Sequence, residues 1–102
     1  MSSGENHIVI VNFTTTPENQ ELALEMIGNY VGDFLSKQTG FLSSRLHASK
    51  DGNSVVHYAE WNREEDFQAF AKSAQSHPDL PALLAYEPKA SAFKLKRVFP
   101  EA

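Results

Sequence analysis

The 102-residue chain contains no cysteine. That excludes a disulfide framework, a thiolate nucleophile and any cysteine metal site. Nor is there an excess of positive charge: 9 Lys and Arg stand against 13 Asp and Glu, a net charge of −4. Phosphate backbones need a basic field, so no nucleic-acid partner is expected. No apolar run approaches the ~18 residues of a membrane span, so no membrane partner is expected either. The N-terminal Met-Ser-Ser-Gly-Glu-Asn-His is polar and short. It lacks the charged and apolar regions of a signal peptide, which leaves the cytoplasm as the default location. No glycine-rich phosphate loop is present, so nucleotide binding has no support. Tryptophan occurs once, at Trp61.

What is present fits one ordinary globular domain over residues 1–102, with residues 1–6 read as a disordered N-terminus. Residues 7–14, His-Ile-Val-Ile-Val-Asn-Phe-Thr, are dense in β-branched and aromatic residues and predict a first strand. Thr16-Pro17 reads as a helix start with proline at the first helical position. Ala23, Ile27, Tyr30, Val31 and Phe34 then recur on one helical face. Gly28 and Gly32 weaken that helix by ~1 kcal/mol each relative to alanine. Gly40 ends the segment.

Residues 41–49 alternate as a second strand, Asp51-Gly52 signals a hairpin turn, and residues 54–61 form a third strand. Asn62 with Glu65 predicts a capping box for a second helix, whose apolar side is Phe67, Phe70, Ala71 and Ala74. Residues 76–88 are a proline-punctuated connector with a short helical turn, and residues 90–99 alternate as a fourth strand. The order β-α-β-β-α-β predicts an α+β, ferredoxin-like fold: an antiparallel sheet with helices on one face. The open face calls for a second copy, a homodimer.

The third strand, Ser-Val-Val-His-Tyr-Ala-Glu-Trp, carries the chemistry. With Asp51 and Gly52 central in the turn, Leu46 pairs with His57, Arg45 with Tyr58 and Leu42 with Trp61. Leu42, Leu46, Val55, His57, Ala59 and Trp61 then share the face beneath the helices. Arg45, His47, Val56, Tyr58 and Glu60 share the other, where Arg45 and Glu60 are expected to pair. His57 is thus placed in an apolar compartment within reach of Trp61, covered by Phe67 and Phe70. Burial there lowers its pKa and keeps it neutral. A neutral imidazole in a dry pocket can take a proton from a phenol or an activated C–H. The plain alternative is a core histidine satisfied by backbone, beside a tryptophan that only packs.

The stretch from Gly40 to Phe70 resembles the antibiotic biosynthesis monooxygenase family of the dimeric α/β barrel superfamily. Its marks are Gly40-Phe41, the turn His47-Ala48-Ser49-Lys50-Asp51-Gly52, and Val55-Val56-His57-Tyr58-Ala59-Glu60-Trp61. A charged helix start runs from Arg63 to Phe70, and Tyr86-Glu87-Pro88 resembles the approach to the last strand. The resemblance implies a homodimer with a pocket between sheet and helices in each subunit. It also implies oxidation of a small aromatic phenol, hydroquinone or anthrone by O2 to a quinone, without metal, flavin or haem cofactor. The family's Asn-x-x-x-Trp pair falls on His57 and Trp61, so histidine replaces asparagine. The tyrosine that anthrone oxidisers carry six residues after the tryptophan is Phe67 here.

On this reading His57 and Trp61 are the catalytic candidates. Asn12, Leu46, Phe67, Phe70 and Tyr86 are the substrate-binding candidates. A binding protein of the same fold without turnover is the alternative. A third possibility is a haem-degrading relative, which would use Asn12, set Phe70 where a tryptophan is needed, and draw on His77. Metal binding by His7, His47, His57 and His77 is not expected, since none is spaced i, i+4 on a helix. Lys89, Lys94, Lys96 and Arg97 on the last strand read as guards of an edge against mispairing.

Overall fold

The computed structural model describes residues 6–101. All but Asn6 of the expected disordered segment lies outside the described residues. The elements are β1 (His7–Thr14), α1 (Gln20–Asp33), a 3-10 turn (Leu35–Lys37), β2 (Phe41–Ala48) and β3 (Ser54–Trp61). Then come α2 (Glu64–Ala74), α3 (Leu80–Leu84) and β4 (Lys89–Lys94). The strands pair antiparallel in the order β2-β3-β1-β4. This is the expected α+β, ferredoxin-like arrangement.

Strand alternation decides which side chains meet the helices. Val9, Val11 and Phe13 of β1 and Val55, His57, Ala59 and Trp61 of β3 point one way. Ala23 and Ile27 of α1 and Leu83 of α3 pack with Phe13 and Val55. Phe67 and Phe70 of α2 pack near Trp61 and Val9. All three helices therefore bury their apolar sides on the same sheet face. The opposite face carries Ile10, Val56, Tyr58 and Phe93 together with Ile8, itself buried, and no helix among the described residues packs over it.

Several local expectations are corrected. Helix α1 begins at Gln20 rather than Pro17. The Thr16 amide donates to Asn19 Oδ1 (2.8 Å) and the Asn19 amide to Thr16 Oγ1 (3.3 Å). These side chains satisfy a turn before the helix can start. The expected Asn62–Glu65 capping box does not form. The Asn62 amide is tied to the Gly40 carbonyl at 2.7 Å, and Arg63 is the N-cap. Gly40 has φ +84°, and the Asp66 side chain fills the space a Cβ would need.

The hairpin register holds at Leu46–His57 and Arg45–Tyr58, but a bulge between Phe41 and Ser43 puts Phe41 opposite Trp61. Leu42 leaves the inner face and is 49% exposed. Strand β4 stops at Lys94 because its partner there, His7, is the first residue of β1. Lys96 and Arg97 thus lie beyond the edge strand, and Arg97 pairs with Glu101. Glu60 does not pair with Arg45; it accepts a hydrogen bond from Asn6 Nδ2. No helix among the described residues is long and apolar enough to cross a membrane.

Candidate active site

Between the sheet and the helices lies a cavity of about 250 Å³. Its floor includes Val11, His57, Ala59 and Trp61; its roof includes Ile27, Tyr30, Phe70 and Leu83. Alternation along β3 explains the floor: residues 57, 59 and 61 must share one face. The helical stripe of α1 explains why Ile27, Tyr30 and Val31 descend on it together.

His57 is 6% exposed. Its Nε2 is the buried side-chain nitrogen or oxygen that finds no hydrogen-bond partner among the described residues. Native interiors seldom leave such an atom unsatisfied, and doing so costs about 1–3 kcal/mol. Burial pushes its pKa from the ordinary 6.5 down to about 4, so the ring is neutral at physiological pH. The cavity thus offers a neutral imidazole among aliphatic and aromatic walls.

Trp61 is 1% exposed. Phe41 meets its ring edge-on at 5.6 Å, Phe67 edge-on at 5.7 Å and Phe70 tilted at 5.4 Å. These are favourable aromatic geometries, and they hold the indole rigidly against the cavity. Phe70 is itself a cavity wall. Phe67 stands behind Trp61, between it and the His7 ring at 5.5 Å, and does not line the cavity.

The other sequence candidates are placed elsewhere. Leu46 lies opposite His57 in the β2–β3 ladder but packs into the core beside α1. Asn12 is exposed on the far side of the sheet, because one residue's step along β1 reverses the face. Tyr86 is buried in the core, with its hydroxyl donating to Met26 Sδ at 3.8 Å. It lines a separate hollow with Thr14, Met26 and Glu87. The haem constellation is not assembled, since Asn12 and Phe70 lie on opposite sides of the sheet. His77 stacks on Phe34 at 4.5 Å and edge-on to Tyr30 at 4.9 Å, and its Nδ1 accepts from the Asp79 amide.

Tyr30 is the functional candidate that sequence reasoning passed over, counted only as part of an apolar stripe. A hydroxyl in a stripe otherwise made of Ala, Ile, Val and Phe was the available signal. It is half-buried on the cavity wall, and burial, then the nearby Asp79 charge, push its pKa up. Leu80 and Pro88, from the connector, and the exposed Gln75 complete that side of the cavity.

Residues 6–77 match the family model described as antibiotic biosynthesis monooxygenase. Over 79 residues the chain is 32% identical to tetracenomycin-F1 monooxygenase of Streptomyces glaucescens, covering 76% of this chain and 70% of that protein. Among solved structures it resembles the monooxygenase from ActVA-Orf6 of Streptomyces coelicolor, determined with nanaomycin D. The TM-score is 0.77 at 26% identity, covering 97% of this chain and 95% of that one. It shares its fold with a mutant of SnoaB, a cofactor-independent oxygenase from Streptomyces nogalater. That match has a TM-score of 0.76 at 23% identity and covers 95% of this chain and 99% of the other.

Proposed function

The chain belongs to the antibiotic biosynthesis monooxygenase family, and from that premise we propose that it is a cofactor-independent monooxygenase oxidising a small aromatic phenol, hydroquinone or anthrone to a quinone. The observation that carries this reading is His57, a buried imidazole with an unpartnered Nε2, on the floor of an apolar cavity that Trp61 also lines. A phenolic hydroxyl donated to that imidazole satisfies both groups at once.

The overall change is a substrate C–H and O–H plus O2 giving two C=O groups and water. The substrate supplies four electrons. One oxygen atom becomes the new carbonyl, and the other leaves as water with the two hydrogens. The protein's task is to promote loss of the first proton, hold the electron-rich anion and keep bulk water out. A free imidazole with a pKa of about 4 is a weak base. A phenolate forming beside it in a low-dielectric pocket draws that pKa back up, because opposite charges attract strongly there. Trp61 and Phe70 contribute aromatic carbon to the walls around the ring system.

The low pKa of His57 also favours a second reading, in which the imidazole only accepts a hydrogen bond and the protein binds without turnover. Isotopically labelled O2 separates the two. A monooxygenase places one labelled atom in the quinone product; a binding protein retains its ligand and gives no labelled product above autoxidation.

The open sheet face, with Ile10, Val56, Tyr58 and Phe93, belongs on this account to a homodimer interface. A second copy would shield apolar surface that the described helices do not cover.

A further inference from the structure

Resting on the monooxygenase reading, we propose that the substrate has two fused rings, not three or four, and carries oxygens at both ends: one on His57, the other on Tyr30. Cavity size limits the number of rings. A dry apolar cavity of ~150 Å³ accommodates one benzene ring. The 250 Å³ here, in a cavity partly open to solvent, adds room for one further ring within its walls. Nor can the walls yield cheaply. Ile27, Ala59, Trp61 and Leu83 line the cavity and also belong to the two core clusters. A third ring must either lie outside these walls, without their apolar cover, or displace them and disrupt packing at close to crystal density.

Two polar side chains stand on different elements of the lining. His57 rises from the middle of the sheet, whereas Tyr30 stands on α1 and is more exposed. Its hydroxyl stays protonated through the physiological range and is therefore available as a donor. An oxygen at the far end of a two-ring ligand would accept from it. A single-oxygen ligand would engage only one of the two groups. The matching reaction is a dihydroxynaphthalene plus O2 giving a hydroxynaphthoquinone plus water, balanced in atoms and electrons.

The test uses 1-naphthol, 1,5-dihydroxynaphthalene and 1,8-dihydroxyanthrone as probes. Binding is read anaerobically from Trp61 fluorescence, and oxygen uptake is read separately in air. The wild type should bind the dihydroxynaphthalene about 3- to 10-fold more tightly than 1-naphthol, the range one net hydrogen bond supplies. The three-ring compound should bind more weakly than either. In Tyr30→Phe the dihydroxy compound should lose at least about threefold more affinity than 1-naphthol, again one hydrogen bond's worth. Equal or tighter binding of the three-ring compound overturns the size argument. Equal losses for both naphthols in Tyr30→Phe overturn the role of Tyr30. The predicted binding order without oxygen uptake from the dihydroxynaphthalene supports the ligand class and instead overturns the monooxygenase reading.

Discussion

Phe41 meets the Trp61 ring edge-on at 5.6 Å because a bulge at the start of β2 puts Phe41, not Leu42, opposite it. One extra residue in the strand decides which of two adjacent apolar side chains supports the indole. Phe41 is only partly buried, so Phe41→Ala should cost roughly 1–3 kcal/mol, below the ~3–5 kcal/mol of a fully buried phenylalanine. Leu42→Ala should stay within ~0.5 kcal/mol, as for an exposed position. Urea denaturation of both variants checks the ordering; equal costs would contradict the bulge.

His57 makes stability depend on pH. Its folded pKa of about 4 lies below the ordinary 6.5. Between those values the unfolded chain binds a proton that the folded chain does not, so unfolding is favoured as pH falls. The stability contribution is fully present above pH 6.5 and fades as pH drops towards 4. The gap corresponds to roughly 3 kcal/mol. His57→Asn should flatten this part of the pH–stability curve relative to wild type, as measured by urea denaturation at pH 7 and pH 4.5. An unchanged slope in the variant would place the titration elsewhere.

Gly40 occupies the left-handed region at φ +84°, with Asp66 where a Cβ would sit. Gly40→Ala should lower stability by about 1–3 kcal/mol through backbone strain and displacement of Asp66. A melting temperature equal to wild type would show that the loop adapts freely.

Sedimentation tests the proposed homodimer. The wild type should sediment as a dimer at micromolar concentration. Ile10→Glu, a charge in the middle of the uncovered face, should shift it to monomer while circular dichroism stays native-like. A monomeric wild type would remove the dimer.

Much of this architecture was legible in advance, for physical reasons. The bounds of β1 and β3 follow from dense β-branched runs, and Asp51-Gly52 sets the hairpin register that puts Leu46 opposite His57. The burial of His57 follows from period-two alternation on the more apolar strand face, and its neutrality from that burial. The bulge was not legible, because a single extra residue leaves both adjacent positions apolar. The end of β4 is set by where β1 begins, a long-range fact that alternation within residues 90–99 does not contain. Asn12 was misplaced by matching a family position without following its strand parity. Tyr86 was expected at a pocket, but its hydroxyl is directed to Met26 in the core.

The central claim is that His57 assists oxidation of a phenolic substrate in the cavity beside Trp61. Oxygen uptake with 1,5-dihydroxynaphthalene, corrected for autoxidation and compared between wild type and His57→Ala, tests it most directly. The account predicts uptake by the wild type, with quinone formed one-to-one. It predicts at least a ~100-fold lower rate in the variant, the scale of a lost acid–base group. Equal rates in the two proteins would contradict it.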